Sequence, residues 1–215
     1  MEHEERAGRL VRRIESFSDL VIGFSLALLA LTLKVPPTFN DLLVHPWWLI
    51  AYAWTFAVIC NVWYMHQRLF TYFFLPTAGT IIGNFALLSM IGLVVFFVQV
   101  FVHFIGVDPD QILAFTAYFT ATGCAFLLAG ALYAHGLRKR WDQLDVDLRA
   151  AGLVYALRGL VGGTALLIGV AIVALRGPHN MNDAWTMAII GAFGGVSSRI
   201  IATVISKRQA RVERA

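Results

Sequence analysis

The sequence predicts an all-α integral membrane protein, and three observations carry that expectation: its composition, six long apolar runs, and an uneven placement of Lys and Arg. Of 215 residues, 59% are AVILMFWYC and 14% are charged, with a mean hydropathy of +0.71. Ordinary soluble domains hold about 45–50% apolar and about 25% charged residues. Since about 20 apolar residues cross a bilayer, the chain has room for several spans and none for an extramembrane enzyme domain.

The elements follow in order. A charged stretch, residues 1–13, opens a basic tail at 1–16. The apolar run behind it is too long for a signal-peptide core and lacks a small-residue cleavage site, so it is expected to stay as the first span, 17–35. The second, 46–65, starts at Pro46 with Trp47 and Trp48 and closes on Trp63 and Tyr64, rings that favour the headgroup zone. The third and fourth are 80–104 and 111–135. The fifth, 153–175, carries Gly159 and Gly163 at small-xxx-small spacing, which lets helix backbones approach either within a subunit or between subunits. The sixth, 184–206, precedes a basic tail at 207–215. Runs of this length without period-2 alternation are helices and not barrel strands, and an open sheet cannot satisfy its backbone in lipid. The whole chain, 1–215, reads as a single six-span membrane domain.

Orientation follows from the 17 Lys and Arg residues. Thirteen fall on one side: Arg6, Arg9, Arg12, Arg13, Arg68, Arg138, Lys139, Arg140, Arg149, Lys207, Arg208, Arg211 and Arg214. The other side has Lys34 and Arg176, and Arg158 and Arg199 lie within spans. Both termini are therefore expected in the cytoplasm. The net charge of +4 is topological and does not mark a nucleic-acid face, because the basic residues sit in short clusters between apolar runs. Asp41, Asp108, Asp110 and Asp183 lie on the opposite side and could concentrate cations there, or simply reflect its poverty in Lys and Arg. Cys60 and Cys124 both fall inside apolar runs, with no metal-ligand spacing, and read as buried thiols. No cofactor and no bound metal are expected.

Polar groups at membrane depth are expensive, so the start of the first span carries the most information. In Arg13-Ile14-Glu15-Ser16-Phe17-Ser18-Asp19 a cation and an anion stand six residues apart, and Asp19 sits just inside the apolar run. Local capping at an interfacial helix start would explain these residues. So would a buried network joining the first span to its neighbours. His66 at the end of the second span and Asn84 near the start of the third lie at the same depth in this topology, which makes them the candidate partners.

The stretch Arg13-x-x-x-Phe17-Ser18-Asp19, the apolar helix behind it, and Lys34-Val35-Pro36 resemble the RxxxFSD signature and first helix of the transmembrane protein 175 family, prokaryotic branch. Trp63-x-x-His66 and Asn84 are similar to further family features, and length and topology match over the chain. The resemblance implies a potassium-permeable channel in a bacterial or archaeal cell membrane, a homotetramer whose first helices surround a central pore through which potassium passes transiently. It places the constriction at Phe24, Leu28 and Leu31. Two positions depart from the commoner family pattern: Phe24 stands where isoleucine is usual, and Ala27 where threonine is frequent.

Helical spacing permits the implied face, since Phe17, Val21, Phe24, Leu28, Leu31 and Val35 recur at fours and threes. The same stripe would serve as a core seam. A second stripe, Ser18, Ser25 and Thr32, recurs every seven residues, and physical chemistry alone would turn these hydroxyls, Ser25 among them, toward water in a pore. Hydroxyls in membrane helices also bond back to the preceding turn.

A proton-coupled or other small-solute transporter is the alternative function. It would show internal repeats or helices broken near the midplane, and neither is visible. An intramembrane enzyme is not expected, because HExxH, GxSxG and paired carboxylates at a span centre are all absent.

Overall fold

The computed structural model describes residues 2–31, 33, 37–44, 46–106 and 110–176, with isolated positions 186, 187, 189, 190, 197, 200, 201 and 203–205. These form α1 (Glu2–Leu31), α2 (Phe39–Val44), α3 (Trp47–Tyr72), α4 (Ala78–His103), α5 (Asp110–Arg140) and α6 (Val146–Arg176), with one 3₁₀ turn at Trp141–Gln143. Five of them, α1, α3, α4, α5 and α6, are long and apolar enough to cross a membrane. The sixth run, 184–206, lies outside the described residues except at the isolated positions, whose backbone is helical. The tail 207–215, Thr32, Lys34, Val35, Pro36, Asp108, Asp183 and Arg199 also lie outside them.

The helices overrun the apolar stretches that predict them. α1 starts at Glu2 and not at residue 17, α3 runs to Tyr72 and not to residue 65, and α6 starts at Val146 and not at residue 153. An apolar run measures the hydrocarbon slab, whereas a helix continues wherever its residues favour it, and Glu, Arg and Gln do. At 1.5 Å per residue the 30 residues of α1 reach about 45 Å, against about 30 Å of hydrocarbon. Its polar first turns carry an i, i+4 pair, Arg9 to Glu5 at 3.5 Å. At the other end the described helix stops at Leu31, and the Leu33 N–H tightens onto the Ala30 carbonyl at 3.2 Å.

Two starts have caps that apolar counting overlooks. α2 opens where Thr38 and Asp41 cap each other: the Thr38 hydroxyl donates to Asp41 Oδ2 at 2.8 Å and the Asp41 N–H donates to Thr38 Oγ1 at 3.2 Å. Asp41 is thus engaged in a local turn. α4 opens on a capping box between Thr77 and Thr80.

α5 is central, with α4 on one side and α6 on another, and α1 packs on α3 and α4. α5 and α6 meet backbone to backbone. A Cβ built on Gly159 would stand 2.5 Å from Gly130 Cα, and one on Gly163 would stand 2.7 Å from the Gly123 carbonyl oxygen. The small-residue pair of the fifth span therefore serves packing inside the subunit, where dispersion and close approach replace a hydrophobic driving force. The α1 side of the core is Ile14, Ile22 and Leu29, all buried with Ile59, Val62 and Met65 of α3 and Leu87, Leu88 and Ile91 of α4. Met187, in the segment after α6, is buried and lies against Gly169.

Candidate functional site: the first helix and its anchors

Ser18 of α1, Asn84 of α4 and His66 of α3 are all buried, at 0%, 0% and 1% exposure. They form one directed chain of hydrogen bonds. His66 Nε2 lies 2.9 Å from Asn84 Oδ1, so the amide oxygen accepts and Nε2 carries the proton. Asn84 Nδ2 donates to Ser18 Oγ at 3.0 Å, and Ser18 Oγ donates to the Ile14 carbonyl at 2.8 Å. Every donor points toward α1, an arrangement in which successive bonds polarise one another. The His66 ring stacks on Phe70 at 4.5 Å, and Phe70 stacks on Phe74 at 4.0 Å.

Asp19 makes a separate attachment. Its Oδ1 accepts from Trp63 Nε1 at 3.1 Å and from Gln67 Nε2 at 2.5 Å, both on α3. Trp63, His66 and Gln67 fall at i, i+3 and i+4, one face of a helix. Adjacent residues on α1 stand about 100° apart, so Ser18 and Asp19 grip different neighbours from one level. The helix is thereby held against both sliding and rotation.

The sequence places Asp19, His66 and Asn84 at one depth, with His66 and Asn84 the candidate partners; the structure joins these residues as two sets, His66 and Asn84 reaching Ser18 while Asp19 reaches Trp63 and Gln67. Gln67 was missed, although its position one residue after His66 on the Trp63 face was a usable signal. Arg13 stands apart: it is exposed and borders a surface cleft with Arg9, Arg12 and Ser16. Six residues at 100° each put it about 120° around the helix from Asp19, too far round for the two to pair along the axis. Phe17 is half exposed, its ring edge-on to Phe85 of α4 at 5.9 Å.

The rest of α1 divides cleanly into two faces. Ser25 is buried at 6% exposure, and its hydroxyl bonds back to the Val21 carbonyl at 2.9 Å. The described hydroxyl stripe thus faces α3 and α4 within the subunit and not open water. Phe24, Leu28 and Leu31 are 61%, 54% and 81% exposed, with Ala27 exposed beside them. This apolar row has no cover within the described subunit.

Residues 13–94 match the model of the family described as the endosomal/lysosomal potassium channel TMEM175. All the anchoring residues fall inside that segment. A protein of Marivirga tractuosa named "Potassium channel" is 36% identical over 84 residues, 39% of this chain and 34% of the relative, so the match spans about a third of that protein's length. Two solved structures share the fold. A TMEM175 homolog from Chamaesiphon Minutus, described as a lysosomal potassium-selective channel, matches with TM-score 0.67 and 19% identity over 88% of this chain and 98% of its own. A variant of the potassium channel MtTMEM175 in complex with a Nanobody-MBP fusion protein matches with TM-score 0.66 and 22% identity, over 91% and 93%. Residues 13–94, with both anchors of the first helix, match the TMEM175 family model, and the chain has the fold of two solved TMEM175 potassium channels.

Proposed function

We propose that this chain is a potassium-permeable cation channel of the cell membrane, conducting passively along an axis surrounded by the α1 helices of a homotetramer, with both termini in the cytoplasm. Phe24, Leu28 and Leu31 form its apolar constriction, with Ala27 beside them, and Ser18, Asp19, His66 and Asn84 hold the pore helix in position. Phe17 fills the joint with α4, and Arg13 belongs to the cytoplasmic rim. One observation carries this reading: Ser18 and Asp19 of α1 bond to neighbouring helices and Ser25 is buried on its own helix, while the apolar row Phe24, Leu28 and Leu31 is left uncovered. The family match and the potassium channels among its relatives point the same way.

Mechanistically, a ring of apolar side chains dewets when narrow and admits a partly dehydrated ion when wider, so conduction is set by small displacements of α1. Anchors that fix its height and rotation therefore fix the bore. No covalent step and no cofactor enter.

The test is ion flux from liposomes loaded with purified protein, comparing potassium with sodium gradients against empty liposomes. Potassium-favoured, non-saturating flux without proton coupling is the expected result. Saturating or proton-coupled flux would overturn the channel reading in favour of a carrier.

A further inference from the structure

The basic end of the bundle, where α3 and α5 finish and α6 starts, holds a cluster that the pore reading does not use. α3 and α6 both pack on α5, and their side chains meet beside it. Arg158 of α6 donates to Asn61 Oδ1 of α3 at 2.8 Å. One to two turns nearer the end, Arg68 Nε of α3 donates to the Tyr64 hydroxyl at 3.1 Å, and its guanidinium lies over the rings of Tyr64 and Tyr155 at 5.5 and 5.8 Å. Tyr133 of α5 stacks on Tyr155 at 5.2 Å, which makes an aromatic floor.

Three features of this cleft specify an occupant. Among the described residues no carboxylate pairs with Arg68, and the groups that hold it are a hydroxyl and two ring faces, which orient a guanidinium without neutralising it. Tyr64 is exposed, at 46%, so the cleft opens at the surface of the described subunit and not into a core. Arg68 lies one turn from the end of α3, the level of exposed Tyr72, where an amphipathic ring sits among headgroups. A fixed planar cation at headgroup depth matches a phosphate, which it can engage bidentately.

We propose that the α3–α6 cleft at the basic end binds the phosphate headgroup of an anionic phospholipid, with Arg68 as the principal contact, Tyr64 and Tyr155 holding its guanidinium, and Arg158 supplying charge deeper in the cleft. The proposal rests on the membrane embedding of the chain and not on ion permeation. Basic clefts between membrane helices at the cytoplasmic face are a recurrent solution to headgroup recognition.

The experiment uses the full chain in neutral detergent, titrated with phosphatidylglycerol or with phosphatidylcholine of the same acyl chains, and reads bound lipid by native mass spectrometry and protection by Tm. Wild type retains phosphatidylglycerol preferentially and gains Tm from it. Arg68→Gln weakens that retention about fivefold, the worth of one cation near an anionic surface, while Arg176→Gln at the far end of α6 leaves it unchanged. Should Arg68→Gln not fold, Tyr64→Phe, which frees the guanidinium but keeps the ring, loses part of the retention. Equal retention of both lipids by wild type, or undiminished retention in Arg68→Gln and Tyr64→Phe, overturns the site. Tm protection by inorganic phosphate equal to that by the lipid overturns the headgroup as its source. A chain that conducts no ion yet retains phosphatidylglycerol through Arg68 separates this proposal from the channel reading.

Discussion

Asn84 donates to Ser18 across 66 positions of sequence at 3.0 Å, while the oxygen of the same amide accepts a hydrogen bond from His66 Nε2. One side chain of α4 thus ties α1 to α3, and it does so with a donor and an acceptor that no apolar residue can replace. Removing it leaves the buried Nε2–H of His66 without its acceptor and takes from Ser18 its tie to α4, leaving Ser18 only its bond to Ile14 within α1. Asn84→Ala is expected to cost about 1–3 kcal/mol for the donor left unsatisfied, read as a lower Tm in detergent. Asn84→Asp keeps an acceptor for His66 but loses the donor to Ser18, and is expected to fall between. A Tm for Asn84→Ala equal to wild type would remove the anchoring role.

Asp19 is attached independently, so its substitutions separate charge from geometry. Asp19→Asn keeps a carbonyl oxygen for Trp63 and Gln67 and is expected to assemble, whereas Asp19→Ala leaves both donors without an acceptor and is expected to disrupt assembly. Size-exclusion profiles and Trp fluorescence check this, the latter because the Trp63 indole exchanges a carboxylate partner for lipid or water. Normal assembly of Asp19→Ala would leave Ser18 as the sole anchor.

Gly159 and Gly130 test the scaffold in isolation from the proposed pore helix. A Cβ on Gly159 meets Gly130 Cα at 2.5 Å, and this contact is backbone, which cannot rotate away. Gly159→Ala is expected to push α6 off α5 and to destabilise the chain by about 1–3 kcal/mol, while Gly92→Ala, whose Cβ meets nothing within 4 Å, is expected to be tolerated. Unfolding midpoints of the two variants decide it.

The parts of the fold that were legible are those set by solvent. A bilayer reads length and polarity, so the first five apolar runs are legible as long helices, and so is the common depth of Asp19, His66 and Asn84. Azimuth around each helix was not legible, because it depends on neighbours. Hence Ser18 and not Asp19 receives Asn84, and Gln67, which looks in sequence like the polar edge of a span, reaches Asp19. The hydroxyl stripe turns into the subunit for a related reason. Ser18 and Ser25 satisfy themselves on the carbonyls of Ile14 and Val21, so they need no water and can face protein. Helix ends were invisible to hydropathy but written in caps, Thr38 with Asp41 and Thr77 with Thr80.

The proposed constriction is testable by removal. Phe24→Ala takes away the largest ring of the uncovered row without touching an anchor, so the oligomer is expected to remain intact and the flux to rise. A barrier lowered by only about 1 kcal/mol multiplies the rate roughly fivefold. Single-channel conductance on matched protein amounts measures it. Intact oligomers with unchanged current would move the pore away from this face.

The two faces of α1 can also be told apart at neighbouring positions. Phe24 is 61% and Ser25 6% exposed in the subunit, about 100° apart on one helix. In a background with Cys60→Ala and Cys124→Ala, which removes the half-buried native thiols, Phe24→Cys is expected to react with a water-soluble thiol reagent and to lose flux as it does so. Ser25→Cys, packed toward α3 and α4, is expected to remain unreactive with flux intact. Only a water-filled axis beside α1 produces that pair of results, because lipid would protect both thiols and an opposite rotation of α1 would expose Ser25→Cys instead. Reaction at residue 25 with block, and none at residue 24, would return the pore to the hydroxyl stripe and make the buried Ser18 bond a feature of a different state of the helix.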